Sequence, residues 1–290
     1  GGESSIGQNF KELISKGSDN LELSSHRVLT NALEYNDEIK KLLDMRMLDI
    51  TTSIDAGCEK TFASVRGFKG RSGLEKVMCN LVKYAEGDPG NIIIKYIFTK
   101  GNTSSDELLG FCDKIIKHKL LGCSFQLSYD FESENVSTED LVALIFLRHK
   151  LIEAGAKNVF FDDLLWIRIG TVYEENRRQI DERLSELQIK DGLADPAGYS
   201  RVVVWGAGQL AADLVKNTLF FKNTNFEYFV DSDSSKWGTR FLGKDVRSPE
   251  SLLENDYSIV ISAAQYYAAI VESAELLQIE KSRVVREFVL

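Results

Sequence analysis

In the first half of the chain, short stretches in which polar and apolar residues alternate are separated by longer stretches. In the longer stretches, apolar residues recur every three or four positions. The two-residue pattern predicts strands over Asn20–His26, Leu48–Asp55, Asn91–Thr99 and Cys123–Asp130. The helical pattern predicts helices over Ser5–Lys16, Glu34–Met45, Ser72–Glu86, Ser105–Lys119 and Thr138–Ala154. Strands joined through helices run parallel, so this half of the chain predicts a parallel α/β sheet.

One row of side chains in each predicted strand is polar. The rows are Glu22, Ser24 and His26; Thr51, Ser53 and Asp55; Ile93, Lys95, Ile97 and Thr99; and Ser124, Gln126, Ser128 and Asp130. Parallel sheets are normally covered by apolar side chains on both faces. A recurring polar row therefore predicts a wide, partly open barrel with a charged small molecule inside it. An antiparallel sheet wetted on one side is the alternative, and the intervening helices argue against it.

The second half of the chain predicts a separate α/β unit. A short strand over Val159–Phe161 and a long polar helix over Thr171–Lys190 precede a glycine-containing linker over Asp191–Ser200. Further strands are predicted over Arg201–Trp205, Phe226–Val230, Tyr257–Ser262 and Val284–Val289, with helices over Gln209–Lys216, Pro249–Leu253 and Gln265–Leu277. We therefore expect a barrel-like domain over residues 1–170, a helix and linker over 171–199, and a small parallel-sheet domain over 200–290.

Composition narrows the classes of function. The 290 residues are 43% apolar, enough to bury the cores of two domains. The formal charge of -9 argues against binding to nucleic acid. There is no apolar run of about 18 residues and no secretory signal pattern. The four cysteines fit neither a zinc nor an iron–sulfur spacing. These features predict a cytoplasmic protein with no membrane partner.

Three short motifs occur in a distinctive order. Gly1-Gly2-Glu3 opens the chain, Ser53-Ile54-Asp55-Ala56-Gly57 ends a predicted strand, and Thr61-Phe62-Ala63-Ser64-Val65-Arg66-Gly67 follows it. This order resembles the radical S-adenosylmethionine (SAM) enzymes, whose partial β/α barrels carry a GGE-type motif, a strand end similar to SIDAG and a stretch ending in Arg-Gly. The resemblance covers roughly residues 1–165.

The resemblance implies a set of SAM contacts. Gly1, Gly2 and Glu3 would meet the methionyl ammonium, because a Gly-Gly turn exposes its carbonyls and Glu3 adds a carboxylate. Ser53 and Asp55 would bind the ribose hydroxyls, and Arg66 would bind the methionyl carboxylate as a bidentate fork. Three further residues are expected to contact SAM or substrate: Ser24 at a strand end, and Lys95 and Asp130 deeper in the barrel.

The resemblance also implies cofactors. A reduced [4Fe–4S] cluster bound to SAM yields a 5′-deoxyadenosyl radical, which removes a hydrogen atom from a substrate, and an electron donor protein reduces the cluster. The sequence departs from the family in having Ser4 in place of proline and in lacking the CxxxCxxC loop that holds the cluster. That loop would precede Gly1, so we expect an N-terminally truncated chain that is inactive alone; a degenerate relative without the chemistry is the alternative.

The start of the second unit has a nucleotide-binding pattern. Gly206-Ala207-Gly208-Gln209-Leu210-Ala211 follows a buried strand and begins a helix, and Asp231 ends the next strand. The pattern predicts a phosphate at the helix N-terminus near Gly206, Gly208 and Gln209, and a ribose on Asp231. The unit resembles small Rossmann-like domains of sugar-modifying acyltransferases and some methyltransferases, which implies a nucleotide or sugar-nucleotide ligand.

Two other functions remain open on the sequence. One is a non-catalytic nucleotide-binding or scaffold protein, in which the second unit is a vestigial nucleotide fold used for packing. The other is a nucleotide-sugar oxidoreductase or epimerase, which the lack of a Tyr-x-x-x-Lys pair in the second unit disfavours.

Overall fold

The computed structural model describes residues 26–133, 135–189, 199, 201–263 and 266–285. Gly1, Gly2, Glu3 and Ser24 lie outside the described residues, as do the predicted helix over Ser5–Lys16 and most of the predicted linker. No helix within the described ranges has the length and apolar character needed to cross a bilayer.

The chain divides into two compact units. Of the described residues, 26–133 and 143–160 belong to the first unit, and 135–142 and 161–285, with their gaps, belong to the second. Each unit contains a β-sheet with connecting helices, so the chain is an α/β protein.

The first sheet has five strands that follow chain order from one edge to the other. They are β1 (His26–Leu29), β2 (Leu48–Ser53), β3 (Ile92–Phe98), β4 (Ser124–Tyr129) and β5 (Asn158–Phe161). The helices between them are α1 (Asp37–Asp44), α2 (Glu59–Arg66), α3 (Gly73–Ala85), α4 (Ser105–Lys117) and α5 (Thr138–Glu153). The registered pairs from β1 to β4 are all parallel.

The strand order explains why the two faces of this sheet differ. Parallel crossovers are almost always right-handed, so strands laid down in one direction place their helices on one face. The side chains of Ile94, Tyr96 and Phe125 are fully buried on that face, and the Tyr96 ring centroid lies 5.0 Å from that of Phe111 in α4. The opposite face carries the predicted polar row.

Local side-chain chemistry fixes where the helices begin. Asn36 accepts hydrogen bonds from the backbone N–H groups of Glu38 and Ile39 at the start of α1. Ser104 accepts one from Glu107 at the start of α4. These caps satisfy donors that have no partner within a helix.

Two features of the first unit differ from expectation. The strand predicted to end at His26 continues to Leu29, and residues 20–25 of the prediction lie outside the described residues. Helix α2 (Glu59–Arg66) was not among the predicted helices; it contains most of the motif Thr61–Gly67, and Gly67 caps its C-terminus with a φ of 64°. A left-handed residue at that position closes a helix, and glycine adopts it without strain.

The second unit contains a six-stranded mixed sheet in the order β11-β10-β6-β7-β9-β8. The strands are β6 (Val202–Trp205), β7 (Phe226–Val230), β8 (Arg240–Phe241), β9 (Lys244–Arg247), β10 (Ser258–Ile261) and β11 (Val284–Val285). The helices of the unit are α6 (Asp163–Glu186), α7 (Gln209–Asn217), α8 (Leu219–Asn223) and α9 (Tyr267–Leu276). Pro249–Leu253 forms a 3₁₀ helix.

The chain reverses direction across this sheet beside β6. From β6 it proceeds to β7 and β9 on one side, and it then returns to β10 on the other side of β6. Trp205, Tyr228 and Ile259 are fully or nearly fully buried in the core of the unit. The sequence did not predict α8 or the β8–β9 hairpin, and α6 begins at Asp163 rather than at Thr171.

Candidate functional sites in the two units

A cavity of about 560 Å³ opens on the polar face of the first sheet, and we call it the sheet cavity. One wall is apolar and includes Leu33, Phe62 and Phe68. The other wall consists of side chains from the strands themselves. The cavity therefore combines an apolar surface with a polar, hydrogen-bonding floor, which is typical of small-molecule sites.

Strand register brings the predicted polar residues together. Ser53 pairs with Lys95, and Lys95 pairs with Gln126, so the three lie side by side on β2, β3 and β4. Neighbouring strands are about 4.8 Å apart. All three side chains line the sheet cavity, as alternation in the sequence predicts.

Asp55 and Arg66 bind each other rather than facing the cavity as a separated pair. Asp55 Oδ2 accepts a hydrogen bond from Arg66 Nη1 at 3.0 Å, and Oδ1 accepts one from the Ile97 N–H at 2.7 Å. The side chain of Asp55 is 2% exposed and that of Arg66 is 30% exposed. Asp55 thus anchors Arg66, which does line the cavity, and its oxygens are engaged rather than open to ribose hydroxyls.

Burial dominates the chemistry of Asp55. Desolvation raises the pKa of its carboxyl group to about 6, although the Ile97 N–H and the Arg66 guanidinium both act to lower it. The backbone at Asp55 is left-handed, with a φ of 56°, and its carbonyl accepts a hydrogen bond from Asn102 at 3.0 Å. The turn after β2 therefore combines a left-handed backbone with a buried carboxylate. Arg66 and the Ile97 N–H bond the carboxylate, and Asn102 bonds the backbone carbonyl.

The sheet cavity is rich in positive charge. Arg27, Arg66 and Lys95 line it, and no carboxylate does among the described lining residues. Arg27 is 3.8 Å from Asp49, whereas Lys95 Nζ lies over the Phe131 ring at 5.6 Å and has no ion pair within the described part of the chain. Ammonium and guanidinium groups in a partly desolvated site favour a ligand that carries a carboxylate or a phosphate.

Sequence reasoning missed three polar residues that line this cavity, Arg27, Thr30 and Asn31. The first strand was expected to end at His26, and its predicted polar row (Glu22, Ser24 and His26) is one position out of phase with the residues that line the cavity. Arg27 and Leu29 line it instead, and the register partner of Leu29 is Thr51. Thr51 belongs to the predicted polar row, and its side-chain oxygen is buried without a hydrogen-bond partner among the described residues. A buried hydroxyl of this kind gains a partner when a polar ligand binds.

The second unit has a cavity of about 440 Å³ beside the turn after β6, and we call it the turn cavity. It lies where the chain reverses across the sheet, between the ends of β6 and β10, which is where open α/β sheets bind ligands. Gly206, Gly208 and Gln209 line it, as does Ser262 after β10.

The two glycines of the turn have different roles. Gly206 has a φ of 111°, and a Cβ there would overlap the Ser262 hydroxyl. A Cβ on Gly208 would meet no atom within 4 Å, because that position faces open space. Gly206 is therefore required by the fold, whereas Gly208 leaves room at the N-terminus of α7.

Asp231 also lines the turn cavity, and its carboxylate is already bound. Oδ2 accepts hydrogen bonds from the Ala207 N–H at 2.8 Å and from Lys236 Nζ at 2.9 Å, and Oδ1 accepts one from the Asp233 N–H at 2.9 Å. Asp231 thus closes the glycine turn. The sequence analysis missed Lys236, although it follows Asp231 by five positions and lines the same cavity.

The cysteines of the chain do not fit a [4Fe–4S] cluster. Such a cluster needs several thiolates together. Cys58 and Cys79 are exposed, and Cys112 and Cys123 are buried, where desolvation raises the thiol pKa of each to about 12. In the part of the chain that the structure describes, no cluster of three cysteines occurs.

The fold defines a two-unit α/β protein with a cavity in each unit. A family model described as "C2185-like, N-terminal" matches residues 198–285, which lie in the second unit. No curated protein matches the chain. The crystal structure of SuiB from Streptococcus suis is similar with a TM-score of 0.43 and 17% identity, covering 56% of this chain and 37% of that one. The matched part thus spans little more than a third of that protein.

Proposed function

We propose that the first unit is the SAM-binding portion of a radical SAM enzyme and that the second unit binds the nucleotide part of its substrate, such as a sugar nucleotide. The observation that carries the proposal is the convergence of Ser53, Lys95 and Gln126 from three adjacent parallel strands onto one cavity. A partial β/α barrel accounts for this arrangement, because its strands follow chain order and its polar face is the interior.

The sheet cavity offers partners for most parts of SAM. Arg66 and Lys95 suit the methionyl carboxylate, since both are cationic and line the cavity. The hydroxyls of Ser53 and Thr51 and the amide of Gln126 suit the ribose. The aromatic rings of the apolar wall suit the adenine. The methionyl ammonium is left to Gly1, Gly2 and Glu3, outside the described residues.

Asp55 has a positioning role in this proposal. It holds Arg66 at 3.0 Å and thereby limits the orientations of the guanidinium that would bind the carboxylate. A [4Fe–4S] cluster in such an enzyme would supply the electron that cleaves SAM. The cysteines of residues 1–290 do not fit that cluster, so its ligands would have to come from elsewhere in the protein. A cytoplasmic location and an electron donor protein belong to the same proposal.

The turn cavity supports a nucleotide ligand in the second unit. Backbone N–H groups at a helix N-terminus bind phosphate, and the open space beside Gly208 allows a ligand to approach them. Lys236 adds a cation at the edge of the cavity. A Rossmann-like domain that holds the nucleotide would leave the remainder of the substrate to be positioned for reaction.

A non-catalytic nucleotide-binding protein is the second candidate function. It is favoured by the mismatch between the four cysteines and a cluster, since the glycine turn needs no cluster to bind a nucleotide. The two functions differ in what they require of the sheet cavity, because only the radical SAM enzyme needs SAM there.

Calorimetry with the full chain separates these functions. We expect SAM and S-adenosylhomocysteine to bind, and we expect Lys95→Met to weaken both by about tenfold or more, as a lost charge-assisted hydrogen bond does. Lys100→Met is the matched control, because Lys100 is exposed in the turn after β3. This variant should bind SAM with the affinity of the unmodified chain. Absence of binding at millimolar SAM, or equal affinity in both variants, would overturn the assignment.

A further inference from the structure

We propose that the first unit holds a zinc site formed by Glu75, Cys79 and His118, separate from the sheet cavity. A carboxylate oxygen, the Cys79 sulfur and an imidazole nitrogen all lie within 4.8 Å of one another. Neither the resemblance nor the family match assigns a role to these residues.

Two helices bring the three residues together. Glu75 and Cys79 are four residues apart on α3 and therefore share one face of that helix. His118 is the C-terminal cap of α4, where its backbone N–H bonds to Lys114 and Ile116. The cap fixes the backbone of His118, so its ring is presented to α3 from an ordered position.

The geometry at His118 points to a shared ion. Nε2 lies 3.2 Å from Glu75 Oε1 and the side chain is only 10% exposed. The two atoms therefore lie at ion-pair distance, although their geometry does not meet the criteria of a hydrogen bond at Nε2. Two ligands of one tetrahedral zinc lie about 3.3 Å apart, because each is about 2.0–2.1 Å from the metal. An ion between them would satisfy the buried nitrogen.

The donor set selects the metal. A thiolate, an imidazole and a carboxylate are ligands of zinc and cobalt(II), whereas magnesium and calcium prefer oxygen alone. The ammonium of Lys117 lies 3.2 Å from Glu75 Oε1 and is 65% exposed. Lys117 can turn into solvent when the metal binds.

The exposure of Cys79 gives the metal a route of entry. Three protein ligands leave a fourth position for water, and the ion would join α3 to the end of α4. Because the metal binds the folded chain, it should raise the stability of the first unit by RT ln(1 + c/Kd), where c is the free metal concentration; this gain grows with the logarithm of c above Kd.

The test is cobalt(II) titration of the full chain, stripped of metal under reducing conditions. We expect one equivalent to bind with a thiolate-to-cobalt charge-transfer band and the visible bands of a tetrahedral site. Cys79→Ser should abolish the charge-transfer band, and His118→Gln should weaken binding by more than about tenfold, since even the loss of an outer-shell partner costs 10–100-fold. Cys58→Ser is the matched control, because Cys58 is also exposed and should leave the spectrum unchanged.

Alkylation of the unmodified chain tests the same site without a variant. Zinc should slow the reaction of Cys79 with iodoacetamide and leave that of Cys58 unchanged, as measured by mass spectrometry of the labelled peptides. Absence of a cobalt–thiolate band, its survival in Cys79→Ser, or equal alkylation of Cys79 with and without zinc would each overturn the proposal.

Discussion

The two units use a buried aspartate in the same way, and the surroundings of the two aspartates differ. Asp55 in the first unit joins the Ile97 N–H to Arg66, and Asp231 in the second joins the Ala207 N–H to Lys236. Asp55 is 2% exposed and lies behind its cavity, whereas Asp231 is 8% exposed and lines its own. A carboxylate at a strand end can therefore brace a turn whether or not it reaches a ligand.

Replacement of the two aspartates gives the largest expected effect. Asp55→Ala should destabilise the chain by about 3–4 kcal/mol, because it leaves Ile97 and Arg66 unpaired and puts alanine in a left-handed conformation. Asp231→Ala should cost about 2 kcal/mol, because Lys236 is partly exposed and can be solvated. Urea unfolding measures both values.

Asp49→Ala is the control for this comparison, since the Arg27–Asp49 pair is partly exposed at 3.8 Å and should contribute less than about 1 kcal/mol. Equal losses for Asp55→Ala and Asp49→Ala would show that burial of Asp55 has no energetic consequence.

The pH dependence of stability sharpens the comparison. The pKa of Asp55 is about 6 in the folded chain and its ordinary value is 3.8, so the folded state binds the proton more tightly than the unfolded state does. Protonation of Asp55 therefore contributes up to about 3 kcal/mol to the free energy of unfolding. This contribution is fully present below about pH 4 and is lost as the pH rises to about 6.

Asp55→Asn removes this titration and keeps a side chain that tolerates the left-handed backbone. The free energy of unfolding of the unmodified chain, relative to Asp55→Asn, should therefore fall between pH 4 and 6. Parallel curves for the two chains over that range would contradict the raised pKa.

The smallest expected effect concerns the glycine turn. Gly206→Ala should destabilise the second unit by about 2 kcal/mol, because its φ of 111° and the nearby Ser262 hydroxyl exclude a methyl group. Gly208→Ala should change stability by less than about 1 kcal/mol, because a Cβ there enters open space. Thermal unfolding measures both changes.

The glycine substitution with the smaller effect on stability, Gly208→Ala, should have the larger effect on ligand binding. If nucleotides bind in the turn cavity, Gly208→Ala should weaken UDP-sugar or NAD binding in calorimetry, since its methyl group occupies the approach to α7. Unchanged affinity in a folded Gly208→Ala chain would argue against a phosphate at this helix N-terminus.

The sequence predicted the strand interiors of the first unit well. Strands β2, β3 and β4 match their expected bounds to within two residues, because one apolar face and one polar face make the two-residue period unambiguous. The same alternation predicted that Ser53, Lys95 and Gln126 would share a face. In parallel strands with one buried face, knowing which side chains share a face fixes the register between the strands.

Contacts made outside the strands were not predictable in this way. Asp55 follows the end of β2 in a left-handed conformation, so the alternation that places Ser53 no longer determines where its side chain points. Lys236 approaches Asp231 through a 3₁₀ turn. His118 meets Cys79 only because α3 and α4 come together, and the two are 39 positions apart in the chain.

The strands of the first sheet follow chain order from one edge to the other. This order places the core-packing side chains on one face and the cavity-lining side chains on the other. Consecutive positions of β3 meet different requirements: Ile94 and Tyr96 are buried in the core, and Lys95 lines the sheet cavity. Substitutions at strand positions that line the sheet cavity should cost less folding free energy than substitutions at Ile94 or Tyr96. The scaffold is therefore well suited to acquiring new ligands through exchange of a few residues along its strands.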